Sequence, residues 1–188
     1  MTYENQYFQY LKKRSLKSFI YRKYFIYPKY RPYMKGYLLD VGCGIGEIIS
    51  FYKNSMGVDI NNECVNYCKS LGLKAQTMKV DELPFENGKF DTLVFDNVLE
   101  HIENPAKIIS EIYRVMKKDA NLLISVPGIK GFYYDEDHKT FYDQDKLNKI
   151  FEINNFSLVK NYFTPFKSNF LNKNARQYFL EQLWSHLI

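Results

Sequence analysis

The sequence is poor in cysteine, with three in 188 residues: Cys43, Cys64 and Cys68. An odd number at no framework spacing excludes a disulfide-stapled secreted scaffold. Cys64 and Cys68 stand four apart, on one face of a helix, and read as buried thiols before metal ligands. Long apolar runs are missing too, and none approaches the ~20 residues that cross a bilayer. Met1 to Gln6 lacks the basic-then-apolar layout of a signal peptide. There is no internal repeat and no low-complexity segment. The expectation is a soluble, cytoplasmic protein. Its 46% hydrophobic and 25% charged residues suit a folded chain of one domain.

Acid is scarce in one region only. Residues 1–36 hold nine Lys or Arg against Glu4 alone, whereas the whole chain carries a net charge of +5. The body beyond is therefore mildly acidic. The same stretch is rich in aromatics, among them Tyr7, Tyr10, Tyr21, Tyr24, Tyr27, Tyr30 and Tyr33. Its spacing predicts a helix from about Glu4 to Tyr24, with Phe8, Leu11, Leu16, Phe19 and Ile20 on one stripe. Pro28 and Pro32 are expected to prevent a continuous helix beyond it.

After Gly36 the pattern changes to short apolar runs alternating with helical segments. Tyr37 to Val41, a run ending in Gly57 to Ile60, Leu73 to Met78, Phe90 to Phe95, Asn121 to Val126 and Phe156 to Phe163 read as six strands. Helices are expected over Glu47–Tyr52, from an Asn61 or Asn62 cap to Leu71, over Asn104–Lys118 and over Gln144–Phe151. That alternation means an α/β, Rossmann-like, doubly wound and mostly parallel sheet with right-handed crossovers. The expected layout is a helical arm or lid over 1–36, a core over 37–165 and a helical extension over 166–188. In that extension Phe179, Leu180, Leu183, Trp184, Leu187 and Ile188 make a helical stripe, suited to packing on the domain or to a homodimer contact. A seventh strand is not evident after Phe163.

Ligands of such sheets bind at the carboxyl ends of the strands. The first turn, Gly42-Cys43-Gly44-Ile45-Gly46, is glycine-rich, but a dinucleotide fingerprint needs a glycine at 47, where Glu47 stands. Asp40 lies two residues before the first glycine, which suits a ligand with an ammonium group and disfavours a pyrophosphate. Asp59, 17 residues past Gly42, is placed to accept hydrogen bonds from ribose hydroxyls. Ribose plus ammonium without phosphate describes S-adenosylmethionine.

The run Leu38-Leu39-Asp40-Val41-Gly42-Cys43-Gly44-Ile45-Gly46-Glu47 resembles the first motif of class I S-adenosylmethionine-dependent methyltransferases. The resemblance continues in family order through Val58-Asp59, Leu83-Pro84-Phe85, Phe90-Asp91, Leu99-Glu100-His101-Ile102 and Val126-Pro127-Gly128. It implies that Gly42, Cys43 and Gly44 line the cofactor's methionine with Asp40 nearby. It implies further that Asp59 takes the ribose with Ile60 beside it, and that Asp96 approaches the methionine end. Many relatives carry an adenine-binding Asp where this chain has Lys79. Either Val80 supplies a backbone amide and Asp81 takes the amine, or no side chain does.

Glu100 and His101 match residues beside the cofactor in the small-molecule branch that includes ubiquinone-pathway O-methyltransferases. His138, in a polar loop after the fifth strand, is the expected base for an acceptor hydroxyl, with His101 a second candidate. Asp96-Asn97 is similar to one fragment of metal-dependent catechol methylation. Adjacent side chains on a strand point apart, however, and no partner acids follow at Ser125-Val126-Pro127, so no metal is expected. The expected acceptor is a small molecule, such as a metabolite, a sugar or a phosphorylated or lipid-linked glycan precursor. O-methylation is expected, with S-adenosylhomocysteine as the product. A nucleic-acid or protein methyltransferase using the basic arm is the alternative, disfavoured because Asp96-Asn97-Val98-Leu99 lacks the Pro-Pro-aromatic of amino-methylating nucleic-acid enzymes. A cofactor-binding module without turnover is a third.

Overall fold

The computed structural model describes residues 3–13, 16–164 and 179–186. Seven strands form one sheet in the order β3-β2-β1-β4-β5-β7-β6. The strands are β1 (Leu38–Val41), β2 (Ser55–Asp59), β3 (Ala75–Thr77), β4 (Phe90–Asp96), β5 (Met116–Pro127), β6 (Phe156–Thr164) and β7 (Phe179–His186). β1 to β5 are parallel, and β7 runs antiparallel to both neighbours. Strand order reverses beside β1, so the crevice for a ligand opens at the carboxyl ends of β1 and β4.

Alternation along the central strands divides the core in two. Leu39, Val41, Leu93, Phe95, Leu122 and Ile124 belong to the larger cluster. Against them pack Ile108, Ile109, Ile112 and Val115 of α6 (Ala106–Val115), with Leu147 and Phe151 of α8 (Gln144–Glu152). Leu38, Val94 and Leu123 turn the other way, onto Ile26, Tyr27, Tyr30 and Met34 of the arm and Ile48 of α4 (Glu47–Phe51). α5 (Asn62–Ser70) starts at Asn61, whose side chain accepts from the N–H groups of Glu63 and Cys64. Cys43, Cys64 and Cys68 are all buried, and none is in a disulfide.

The arm is more broken than the sequence pattern predicts. It comprises α1 (Tyr3–Lys12), α2 (Leu16–Tyr21), a π-helical turn over Arg22–Ile26, α3 (Tyr27–Tyr30) and a 3₁₀ turn over Arg31–Tyr33. The two prolines open helical turns instead of ending them. Pro28 and Pro32 each fall at the first positions of a turn, where a missing N–H costs no intrahelical bond. The expected single stripe also divides. Phe8 and Leu11 pack beneath α1 against Cys64, while Leu16, Phe19 and Ile20 face solvent.

Over 179–186 the expected C-terminal helix is a further correction, while 166–178, Leu187 and Ile188 of that extension lie outside the described residues. Residues 179–186 form β7, inserted between β5 and β6, and so supply the seventh strand. Eight residues with mixed apolar spacing do not decide between periods of 3.6 and 2. Pairing does, because β7 satisfies the facing backbone edges of two strands at once. The dimer contact expected through a helix there loses its basis.

Candidate active site

The glycine turn after β1 is built by backbone geometry. Gly42, Gly44 and Gly46 have φ of 77°, 50° and 81°, a region that L side chains rarely enter. At Gly42 space is also closed, since a Cβ would lie 2.4 Å from a methyl of Val98. The N–H groups of Gly42 and Cys43 donate to the Val58 carbonyl at 2.8 and 2.9 Å, tying the turn to β2. Asp59 completes the connection, its two oxygens accepting from the N–H groups of Gly44 and Asn61, each at 2.8 Å. Burial raises the Asp59 pKa, opposed by these backbone donors. Asp40 is buried, and its pKa is pushed well above the usual range by that burial and then by Asp96.

A second layer comes from the arm. Arg22 reaches Asp96 at 3.5 Å and Glu47 at 3.7 Å. Tyr27 donates its hydroxyl to Glu47 at 2.9 Å, and Tyr30 donates to Asp96 at 3.4 Å. Burial alone would lower the guanidinium's pKa, but Asp96, Tyr27 and Glu47 outweigh it and raise it. Asp96 also accepts from the Ser125 hydroxyl and, at 3.0 Å, from the Asn97 amide. Asn97 itself has φ of 54°, a left-handed conformation held by its N–H on the Ser125 carbonyl at 2.9 Å.

The third wall is a histidine pair. His101, in a 3₁₀ turn over Leu99–His101, presents Nδ1 to the Asp137 carbonyl at 3.3 Å. His138 presents Nδ1 to the Phe132 carbonyl at 2.9 Å and stacks on the Phe132 ring. A carbonyl only accepts, so in both rings Nδ1 carries a proton, and in a neutral His101 ring Nε2 keeps its lone pair. The His138 Nε2 stands 3.9 Å from the Glu100 carboxylate, and the two rings meet at 4.8 Å between centroids. Burial lowers the His101 pKa, helped by His138. Burial pushes Glu100 up to about 8, so near neutral pH its carboxyl is mostly protonated. One donor atom from each of Glu100, His101 and His138 lies within 4.8 Å of the others. Donors of a tetrahedral zinc site sit about 3.3 Å apart, closer than the 3.9 Å between His138 Nε2 and Glu100, a gap also too long for a hydrogen bond.

These walls enclose a cavity of about 900 Å³. Of the residues predicted to bind cofactor, Asp40, Gly42, Cys43, Gly44, Asp59, Ile60, Val80 and Asp96 line it, and Asp81 does not. His101 lines it as well, while His138 stands behind His101. Sequence reasoning missed Arg22, Tyr27, Glu47 and Asn61 as cavity residues. Arg22 counted only toward the arm's charge, because no local spacing announces a side chain that closes on Asp96 from 74 positions away.

Residues 39–124 match the family model described as a methyltransferase domain. An uncharacterized protein of Methanocaldococcus jannaschii is 29% identical over 79% of this chain, which spans 71% of that protein. A chloroplastic tocopherol O-methyltransferase of Arabidopsis thaliana is 28% identical over 60% of this chain, and the match spans 36% of that enzyme. Among solved structures, a SAM-dependent methyltransferase from Archaeoglobus fulgidus superposes with a TM-score of 0.72 at 23% identity. That match covers 97% of this chain and all of that one.

Proposed function

We propose that the chain is a class I S-adenosylmethionine-dependent methyltransferase that methylates a hydroxyl of a small-molecule acceptor. Bound S-adenosylmethionine supplies an electrophilic methyl group on a sulfonium. The residues present suit that donor. Asp40, Glu47, Asp59 and Asp96 put carboxyl groups on the cavity wall, matching a ligand that carries sulfonium and ammonium charges. Asp59 is held by two backbone N–H groups at the end of β2, and it would accept from the ribose hydroxyls. Arg22 neutralises Glu47 and Asp96 and would meet the donor's carboxylate. Lys79 stands in the wall where many relatives have an acid, so the adenine amine takes no side-chain carboxylate from that position.

The observation that carries the hydroxyl reading is His101: a neutral ring on the cavity wall, its Nδ1–H spent on a carbonyl and its Nε2 lone pair available. An alcohol must lose its proton as the carbon–oxygen bond forms, and a neutral imidazole in contact takes it. His138 then acts from behind, fixing the His101 ring by packing. In-line displacement otherwise needs only alignment of acceptor and donor, which the arm's Tyr7, Leu11 and Tyr27 supply as walls. Tocopherol, the acceptor in the name of the Arabidopsis relative, is a phenol with a lipid tail, and a volume near the top of the ~300–1,000 Å³ range of small-molecule sites suits such an acceptor beside the donor.

The test has two stages. S-adenosylhomocysteine should bind the purified chain with micromolar affinity by calorimetry. A panel of amphipathic phenols and alcohols, each paired with its O-blocked ether, should then release S-adenosylhomocysteine only where the hydroxyl is free. Release from amines or from the ethers in equal measure overturns the hydroxyl reading.

A further inference from the structure

The arm carries a second apolar stripe that neither packs on the sheet nor enters the cavity. Leu16 is 71% exposed, Phe19 39%, Ile20 43% and Tyr24 62%. Their spacing of three and four places them on one helical face. Phe25 and Tyr10, each 54% exposed, extend the same surface chemistry. Ile26, Tyr27 and Tyr30 of the same segment point inward and are buried. The segment is thus apolar on two sides. A lone exposed leucine needs no explanation, but a contiguous group of large apolar side chains does.

The surroundings of this stripe are basic. Lys12, Lys13, Lys17 and Lys23 are exposed along it. The Lys23 ammonium lies 5.8 Å from the Phe19 ring centre and 5.7 Å from that of Tyr24, so charge and aromatic rings share one patch. Glu4, the single acid of the first 36 residues, is exposed at the edge of the cavity. Aliphatic and aromatic residues with lysines on one short helical surface suit the boundary between water and acyl chains. There the rings and leucine enter the headgroup layer, and the ammonium groups meet lipid phosphates.

We propose that the outer face of the arm, Leu16 to Phe25 with its flanking lysines, docks this protein on an anionic lipid surface. Other occupants fit less well. A second copy would set two strongly basic arms against each other. A nucleic acid would pair with the lysines and stack on Phe19 or Tyr24, but it has no use for Leu16 and Ile20, which offer no stacking face. Because Tyr7, Leu11, Arg22 and Tyr27 of the same arm line the cavity, docking holds the cavity wall at the membrane. If the transferase reading stands, the acceptor then reaches the site from the lipid phase. Docking itself does not depend on that reading.

The experiment is co-sedimentation of the full chain with vesicles of phosphatidylglycerol and phosphatidylcholine, against vesicles of phosphatidylcholine alone. The expected result is retention on the anionic vesicles only, falling as salt rises. The triple variant Leu16→Ser, Phe19→Ser, Ile20→Ser should bind them about 10-fold more weakly. Lys13→Glu, Lys17→Glu, Lys23→Glu together should bind about 100-fold more weakly or worse. S-adenosylhomocysteine binding, measured in parallel, should be unchanged in both, which shows that they fold. Docking is overturned by equal retention on neutral vesicles, by no retention on anionic ones, or by undiminished retention of the serine variant. It is overturned too if wild type dimerises through the stripe, or if single-stranded RNA binds as tightly to the serine variant while vesicles do not bind at all. Loss of S-adenosylhomocysteine binding in the wild type, with vesicle binding intact, removes the transferase reading and leaves docking standing.

Discussion

The two sides of the cavity are made of different material. On the side of β1 and β2, the work is done by backbone: three glycines at positive φ, N–H groups on the Val58 carbonyl, and one carboxylate that clamps two more N–H groups. On the other side it is done by side chains drawn from distant segments, with Arg22 on Asp96, His101 on His138 and His138 beside Glu100. On the proposed reading the backbone cradle holds the constant part, the donor, and side chains on an arm and a loop, which can be exchanged without disturbing that cradle, set acceptor choice.

Substitutions should separate the two sides. The largest effect belongs to the acceptor side: His101→Ala should lower turnover by about 10²–10⁴-fold while S-adenosylhomocysteine affinity by calorimetry holds. His138→Ala should cost less, since that ring stands behind. A greater loss at 138 would invert the assignment. Because burial lowers the His101 pKa from 6.5, the ring stays a base as pH falls through 6.5, and the acid limb of the pH–rate profile should lie below that value.

The cofactor side answers next. Asp59→Ala removes the clamp and the proposed ribose acceptor together and should weaken S-adenosylhomocysteine by about 1.5–3 kcal/mol. Unchanged affinity in the titration would place the ribose elsewhere and erase the contrast between the sides. Arg22→Met tests the seam between them. It leaves Glu47 and Asp96 without their cation, and chemical denaturation should show a loss of about 1–2.5 kcal/mol. If only turnover falls, with stability intact, Arg22 serves the ligand alone.

The smallest expected effect is one of stability. The Glu100 pKa is raised from 4.5 to about 8 in the folded chain, so the native state holds that proton more tightly than the unfolded one. The associated stability is therefore complete below pH 4.5 and is lost as pH rises through about 8. Glu100→Gln cannot ionise. Its melting temperature should track wild type below pH 4.5 and exceed it in alkali by roughly 2–4 °C for each kcal/mol recovered. Parallel curves at every pH would mean that the Glu100 pKa does not shift on folding.

Legibility in the sequence follows the same division. The turn at Gly42 to Gly46, Asp40 and Asp59 could be read because their geometry is local: the residue types that tolerate positive φ and the acids at strand ends sit within a few positions of what they serve. Strands β1 to β5 could be read because apolar runs between turn residues leave little choice. The arm misled because an apolar stripe says that a face is apolar and not what covers it. Leu16, Phe19 and Ile20 look like core until the sheet is seen to be covered by Ile26, Tyr27 and Tyr30. His138 could be singled out as polar chemistry after β5, but its rank behind His101 depends on the loop path past Phe132, which no spacing encodes.

The placement of β7 has a consequence for how the sheet is assembled. In the chain β7 follows β6, yet in space it separates β6 from β5, and among the described residues β6 pairs with no other strand. β6 therefore cannot join in the order in which it is made. The parallel half can close first, β2 and β3 adding on one side of β1 and β4 and β5 on the other, while the outer edge of β5 stays open. Only when residues 179–186 slide in does that edge find its partner, and with it the whole of β6. Long-range pairing of this kind is slow, and an open edge is a template for pairing with other chains. Dilution and low temperature during refolding should accordingly matter most in the interval between a formed cofactor cradle and a finished sheet.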